Sequence, residues 1–328
     1  MERPEYRLQI NGASRLQRER GEVRCNVKER NRRSVLYGAP NSEPSKWVTS
    51  ALRDLRGKPI VIASHPRSGT HVTLDLFRKQ FSECQTWKYW GEYTNRLYVS
   101  LEALFLPSSR APISECKAIA VLKRVKRPLI KTHILPEEVP IGPFGTRGVL
   151  GAYWLDFLKL HTQLCYVYRD GRNVMCSYHL YSKMHDLEAR CSLGDFIRQD
   201  DRGMSRVKRW AHHVRSWLRL PNVYPVQFEH MMNEPLEAIQ EIARHFRLTP
   251  LLRKPLLPAK FQNVWHARFT RAFGVRPECT AILGRPRGHT LERWQAAFTS
   301  ADREFFHQEA GDLLIHLGYE DSDAWVNV

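Results

Sequence analysis

The sequence predicts an α/β fold: a single domain with a central parallel β-sheet flanked by helices and carrying a P-loop-like phosphate-binding loop. Three observations predict it. Short apolar runs rich in β-branched residues alternate with stretches whose apolar residues recur at helical spacing, the pattern of a parallel sheet covered by helices. One strand–helix junction holds a tight glycine-containing turn, Ser68-Gly69-Thr70. The composition, 42% hydrophobic and 26% charged over 328 residues, is that of an ordinary globular chain and excludes disordered, collagen-like and coiled-coil classes. That length allows one large domain or two small ones. The domain is assigned to residues 46–328. Residues 1–45 are assigned to a basic, partly ordered extension, because they scatter Arg and Glu among few large apolar residues.

The elements follow in order. Pro59 to Ala63 reads as the first strand, and Thr70 to Phe81, with Leu74, Phe77 and Phe81 in register, as the helix after it. Pro128 to Ile130 reads as a second strand. Leu164 to Tyr168 is a third, running into a helix from Asn173 to Met184. Val223 to Phe228 is a fourth. It leads into a helix from Pro235 to Phe246, whose Leu236, Ile239, Ile242, Ala243 and Phe246 share a stripe. A helix from Met204 to Leu220 places Val207, Trp210, Val214 and Trp217 on a core-facing stripe.

Charge and cysteine content narrow the setting. Lys plus Arg number 51 against 34 Asp plus Glu, a net charge of +17 that implies an anionic partner: nucleic acid, acidic lipid or a phosphorylated small molecule. The seven cysteines include no C-x-x-C pair, which excludes a disulfide framework or zinc knuckle and fits a reducing compartment. No stretch is apolar and long enough to span a membrane, and the N-terminus lacks the apolar core of a secretory signal. The expectation is a cytoplasmic protein without a metal, since His212 and His213 are adjacent on a helix and do not share a face.

The segment IVIASHPRSGTH, Ile60 to His71, joins strand to helix through that turn. A helix N-terminus offers free N–H groups and a positive dipole end to a phosphate. Gly69 permits close approach of backbone to ligand, and Arg67 adds a planar cationic fork. A Ser68 that merely caps the helix explains the same residues. The NTPase pattern G-x-x-x-x-G-K-[ST] is absent: its first glycine is missing and no lysine precedes Thr70.

PRSGTH, Pro66 to His71, resembles the PKSGTxW loop of the sulfotransferases that use 3′-phosphoadenosine-5′-phosphosulfate (PAPS). YVYRDGRNVMCS, Tyr166 to Ser177, is similar to that family's second signature, Y-x-x-R-N-x-x-D-x-x-x-S. PLIKTHILP, Pro128 to Pro136, resembles the segment bearing its catalytic histidine. VQFEHMMNEPL, Val226 to Leu236, is similar to its F-Y-E-D-M-x-x-D-P strand and loop, and RPRGHTLERW, Arg285 to Trp294, to its R-K-G-x-x-G-D-W loop. Five segments in order are specific where one would not be. The chain departs from the pattern at Arg67, Val72, Phe228, Asp170, Asn173, Glu292 and Arg293. The family's dimer motif survives only as Thr299 and Glu304, which leaves the oligomeric state open.

The resemblance implies PAPS as sulfuryl donor, its 3′,5′-bisphosphate (PAP) as product, and a division of labour. Arg67, Ser68, Gly69, Thr70 and His71 would hold the 5′-phosphosulfate end. Arg169 and Ser177, eight residues apart across a strand end and the first turn of the next helix, would hold the 3′-phosphate, closed over by Arg285, Arg287 and Gly288. Phe228 and Phe261 are candidate adenine walls, and equally ordinary core aromatics. His133 would be the general base, Lys131 would stabilise the transferring group, and Arg67 would assist the leaving phosphate. Lys131 points the same way as His133 if the strand continues through His133. The acceptor is a small molecule, lipid or sugar offering a hydroxyl or amine. Its pocket would come from residues 84–115, 137–160 and 183–204, where Trp87, Tyr89, Trp90, Tyr93 and Phe105 suit an apolar or aromatic group. Two rival classes are an ATP-dependent P-loop-like kinase or transferase and a basic nucleic-acid-binding protein. No recognition module supports the latter, so no nucleic-acid partner is expected.

Overall fold

The computed structural model describes residues 46–86, 97–105, 113–137, 157–158, 160–183, 186–258 and 293–327. The extension at 1–45 lies outside the described residues, as do Phe261, Arg285, Arg287 and Gly288.

The described residues form a five-stranded sheet, all parallel, in the order β2-β3-β1-β4-β5. β1 is Ile60–Ser64, β2 Val99–Ser100, β3 Leu129–Thr132, β4 Gln163–Tyr168 and β5 Val223–Gln227. Parallel sheets are buried on both faces, so their strands read as continuous apolar runs. β1 shows it: all five residues are buried, and their alternation feeds different clusters. Ile60 and Ile62 join Leu129, Cys165 and Val167 under the helices α2 (Thr70–Gln80) and α9 (Pro235–Phe246). Ala63 and Tyr166 face the opposite layer, α5 (Gly171–Ser182), α7 (Arg206–Leu218) and α11 (Ser300–His316). Val61 and Ile130 pack toward α1 (Lys46–Arg53) and α4 (Glu115–Leu122). Phe77 meets Phe81 and Phe246 edge-on at 5.2 and 5.8 Å, pairs worth about 0.5–1.5 kcal/mol each beyond their burial.

Short helices complete the chain: α3 (Leu101–Phe105), α6 (Leu193–Arg198), α8 (Phe228–Asn233) and α10 (Arg293–Ala297). Three boundaries differ from expectation. Thr132 ends β3, because its hydroxyl accepts the Ile134 N–H at 3.0 Å and turns the chain before His133. The helix after β4 begins at Gly171, because the Asp170 carboxylate caps it by accepting the Arg172 N–H at 2.9 Å. Ser177 therefore sits in the second turn of α5. Phe228 opens a helix rather than ending a strand.

The N-terminal edge of the sheet is stapled by Arg127, which donates to Lys58 O at 2.6 Å, to Phe246 O at 3.0 Å and to Gln163 Oε1. The C-terminal edge is where loops leave β1, β3, β4 and β5, with the strand order reversing about β1. That crevice is where ligands of open α/β sheets bind. Thr299 is engaged as the cap of α11 in a reciprocal capping box with Asp302. No helix among the described residues is long and apolar enough to cross a membrane.

Candidate active site

The loop after β1 has two left-handed residues, Arg67 at φ 73° and Gly69 at φ 105°. A side chain at Gly69 would put its Cβ 2.3 Å from the Phe228 ring, so both conformation and packing demand glycine there. Arg67 tolerates the uncommon backbone because it is held at both ends. Arg169 Nη1 donates to Arg67 O at 3.4 Å, and Arg67 Nε donates to Ser177 Oγ at 3.2 Å. The N-cap of α2 is Gly69, with no side-chain cap bond, so Ser68 is not a capping serine. Its hydroxyl is buried without a hydrogen-bond partner, at the end of a helix whose first N–H groups have no intrahelical acceptors. Thr70 Oγ1 pairs with Ser64 Oγ at 2.5 Å. The His71 Nδ1 lies 3.4 Å from the Tyr98 hydroxyl. Burial, then the positive charges of Lys131 and Arg67, push His71 down to about 3.

Arg169 leaves the end of β4 and lies over the Phe228 ring at 4.7 Å. Its Nε is buried with no hydrogen bond, and the nearest carboxylate, Glu229 Oε1, is 3.9 Å away. Burial lowers the Arg169 and Arg67 pKa values, and the two guanidinium groups stand in one another's field. Sequence reasoning separated Arg67 from Arg169 and Ser177 into two cradles; the structure joins them in one cationic surface. Phe228 is 7% exposed and serves this surface as a platform, with Gly69 against one part of its ring and Arg169 over it.

His133 follows β3. Its Nδ1 lies 2.7 Å from the Ser64 carbonyl oxygen, a pure acceptor, so Nδ1 carries the proton and Nε2 keeps its lone pair. The His133 N–H donates to Glu102 Oε1, and Lys131 Nζ is 3.6 Å from Glu102 Oε2. Lys131 and His133 thus converge on one carboxylate although the strand ends between them. Burial, then the Lys131 charge, holds the imidazole well below its ordinary pKa, while Glu102 and the Ser64 carbonyl act against them. Behind this group, His213 Nε2 donates to His133 O at 3.0 Å and accepts at Nδ1 from the Tyr166 hydroxyl at 2.8 Å. Trp217 Nε1 donates to Ile134 O at 3.1 Å. A helix that the sequence marks as core packing therefore also fixes the backbone of the candidate base.

The family model described as Sulfotransferase domain matches residues 58–308 of the chain. The chain belongs to the sulfotransferase family. Sulfotransferase 1B1 of the dog, Canis lupus familiaris, is 23% identical over 227 residues, 68% of this chain and 69% of that protein. Mouse sulfotransferase SULT7A1 complexed with PAP aligns over 86% of this chain and 93% of its own, with 17% identity and a TM-score of 0.48. Retinol dehydratase in complex with androsterone and the inactive cofactor PAP aligns over 78% and 80%, with 18% identity and a TM-score of 0.49.

In this sulfotransferase several neighbours of the candidate residues are not legible in the motifs. Glu102 lies in a stretch read as acceptor loop, and Ser64 one residue beyond the apolar run read as the first strand. Glu229 sits inside a quoted segment, but nothing local shows that its carboxylate faces Arg169. The departure Asp170 has a structural reason. It pairs with Arg172, Nη2 to Oδ2 at 2.8 Å, and Arg172 also pairs with Glu320 and lies over Trp294 at 3.9 Å and Trp325 at 4.7 Å.

Proposed function

We propose that this sulfotransferase moves a sulfuryl group from PAPS to a hydroxyl or amine of a small-molecule, lipid or sugar acceptor, with Nε2 of His133 as the general base. The observation that carries the reading is the 2.7 Å contact of His133 Nδ1 with the Ser64 carbonyl. It makes the other ring nitrogen a proton acceptor at the open edge of the sheet, beside Lys131 and the phosphate loop. The residues present fit a polyanionic donor. Ser68 Oγ is a buried polar atom without a hydrogen-bond partner, and Arg67, Arg169 and a helix N-terminus converge on one surface.

PAPS, when bound, supplies the activated sulfuryl group on a phosphate leaving group. The chain's residues do the rest. Ser68, Gly69 and Thr70 present the loop and the first turn of α2 to the 5′ end, with His71 adding its backbone N–H. Arg169 and Ser177 hold the 3′-phosphate, and Arg67, bonded to Ser177, lends charge to the same surface and to the leaving phosphate. Phe228 is a candidate adenine wall; by the resemblance alone, Phe261 would be another, and Arg285, Arg287 and Gly288 would serve the 3′-phosphate. Lys131 places a positive charge where the migrating group develops negative charge, and Glu102 keeps that ammonium in place. His133 takes the acceptor proton at Nε2. Positioning and electrostatics dominate such transfers, as for phosphoryl groups.

Adenosine 3′,5′-bisphosphate should raise the melting temperature of the protein by mass action, and ADP should not match it at equal concentration. Equal shifts would favour the ATP-dependent alternative.

A further inference from the structure

The turn between β4 and α5 is held from an unexpected quarter. Tyr319 follows α11 after Gly318, whose φ of 72° swings the chain back toward the sheet. The Tyr319 hydroxyl donates to Glu229 Oε2 at 2.9 Å, and its ring meets Tyr168 edge-on at 6.4 Å. The other oxygen of Glu229 accepts the Asp170 N–H at 3.2 Å and faces Arg169 Nε at 3.9 Å. Glu320, the next residue, pairs with Arg172, which is itself locked to Asp170. Two consecutive residues near the end of the sequence thus hold residues 168–172, Tyr319 at Tyr168 and through Glu229, Glu320 at Arg172.

We propose that Tyr319, acting through Glu229, is a positioning residue for Arg169 and sets the preference of the site for a 3′-phosphorylated nucleotide. This rests on the cofactor reading given above. Glu229 has one carboxylate and three groups to serve: the Asp170 N–H, the Tyr319 hydroxyl and the Arg169 guanidinium. With Oε2 held by Tyr319, Oε1 is directed at the Asp170 N–H and at Nε of Arg169. The Nη edge of the guanidinium, which also reaches the Arg67 carbonyl, is left for an incoming phosphate. Burial raises the Glu229 pKa, and the Tyr319 and Asp170 hydrogen bonds oppose that rise and favour the carboxylate. Burial and the Glu229 charge raise the phenol pKa well above its ordinary value, so Tyr319 stays a donor. Removing the phenol oxygen frees the carboxylate to rotate, and the arginine loses its fixed counter-charge.

The test is calorimetric titration of the full chain with adenosine 3′,5′-bisphosphate and with AMP, which lacks the 3′-phosphate. Wild type should prefer the bisphosphate. Tyr319→Phe should cut that preference about tenfold while leaving AMP affinity within about twofold, the loss expected for one hydrogen bond to a charged group. In a Glu229→Ala background the same substitution should change nothing further, because Tyr319 acts through Glu229. An unchanged preference in Tyr319→Phe, a parallel fall of both affinities, or additive effects in the double variant would each overturn the proposal. A wild type with no preference for the bisphosphate is a different failure, and it would overturn the cofactor reading itself.

Discussion

The two flanks of the sheet's open edge solve opposite electrostatic problems. On the β4–β5 flank, permanent charges are gathered and neutralised in pairs: Arg172 between Asp170 and Glu320, Arg169 beside Glu229, all laid on aromatic rings. On the β1–β3 flank, three imidazoles, His65, His71 and His133, are held below their ordinary pKa first by burial and then by neighbouring groups, His213 beside His65 and the Lys131 charge beside His71 and His133. A flank that must grip an anion benefits from cations that cannot be discharged. A flank that must accept a proton benefits from a group that is uncharged at rest. The contrast is between arginines held in ion pairs on one side of the crevice and imidazoles of lowered basicity on the other.

The largest effect should come from removing the proton acceptor. His133→Ala should lower turnover by about 10²–10⁴-fold while bisphosphate affinity, which rests on the loop after β1 and on Arg169, stays near normal. Single-turnover rates and calorimetry on the same preparation check this. Near-normal turnover, or parallel loss of binding and rate, would make His133 structural and erase the contrast.

Arg172→Ala attacks the charged flank. It leaves Asp170 facing an empty socket under Trp294 and Trp325, and breaking a buried pair this way costs about 3–5 kcal/mol. Denaturant unfolding should show the loss. A cost under about 1 kcal/mol would mean that the pairing is incidental.

Acid titration separates the flanks without a substitution. A histidine whose folded pKa lies below its unfolded value binds its proton more readily when unfolded. Its contribution to stability is therefore intact above the unfolded pKa, near 6.5, and is lost as pH falls from there toward the folded value. Each of the three should cost at most about 1.4 kcal/mol per pH unit below about 6.5. The melting temperature should drop between pH 6.5 and 5, above the range where most carboxylates titrate. A flat profile over that interval would show that these imidazoles are not held neutral.

Much of the fold was legible because parallel strands announce themselves. β1, β3, β4 and β5 were each found within a residue or two, and α9 matched end to end, since continuous apolar runs and helical stripes are local signals. β2, two residues long, and the short helices α3 and α6 are too brief to show a period. α11 offers a readable start signal in Thr299-x-x-Asp302, but charged residues interrupt its stripe of Phe306, Ala310, Leu313 and Leu314 and hide the period. At the site, motif residues such as His133, Arg67 and Arg169 were legible. Their partners were not: Glu102 meets His133 across 31 residues and Tyr319 meets Glu229 across 90, contacts that exist only once the sheet brings the chain together.

The socket around Arg172 also sets an order of events during synthesis. A chain is made from its N-terminal end, and domains assemble as it emerges. The turn carrying Arg169 and Arg172 is complete long before Trp294, Glu320 and Trp325 have been added. Until then Arg172 has only Asp170, and Glu229 lacks its phenol. Both of those partnerships close only when residues 319 and 320 have joined the fold.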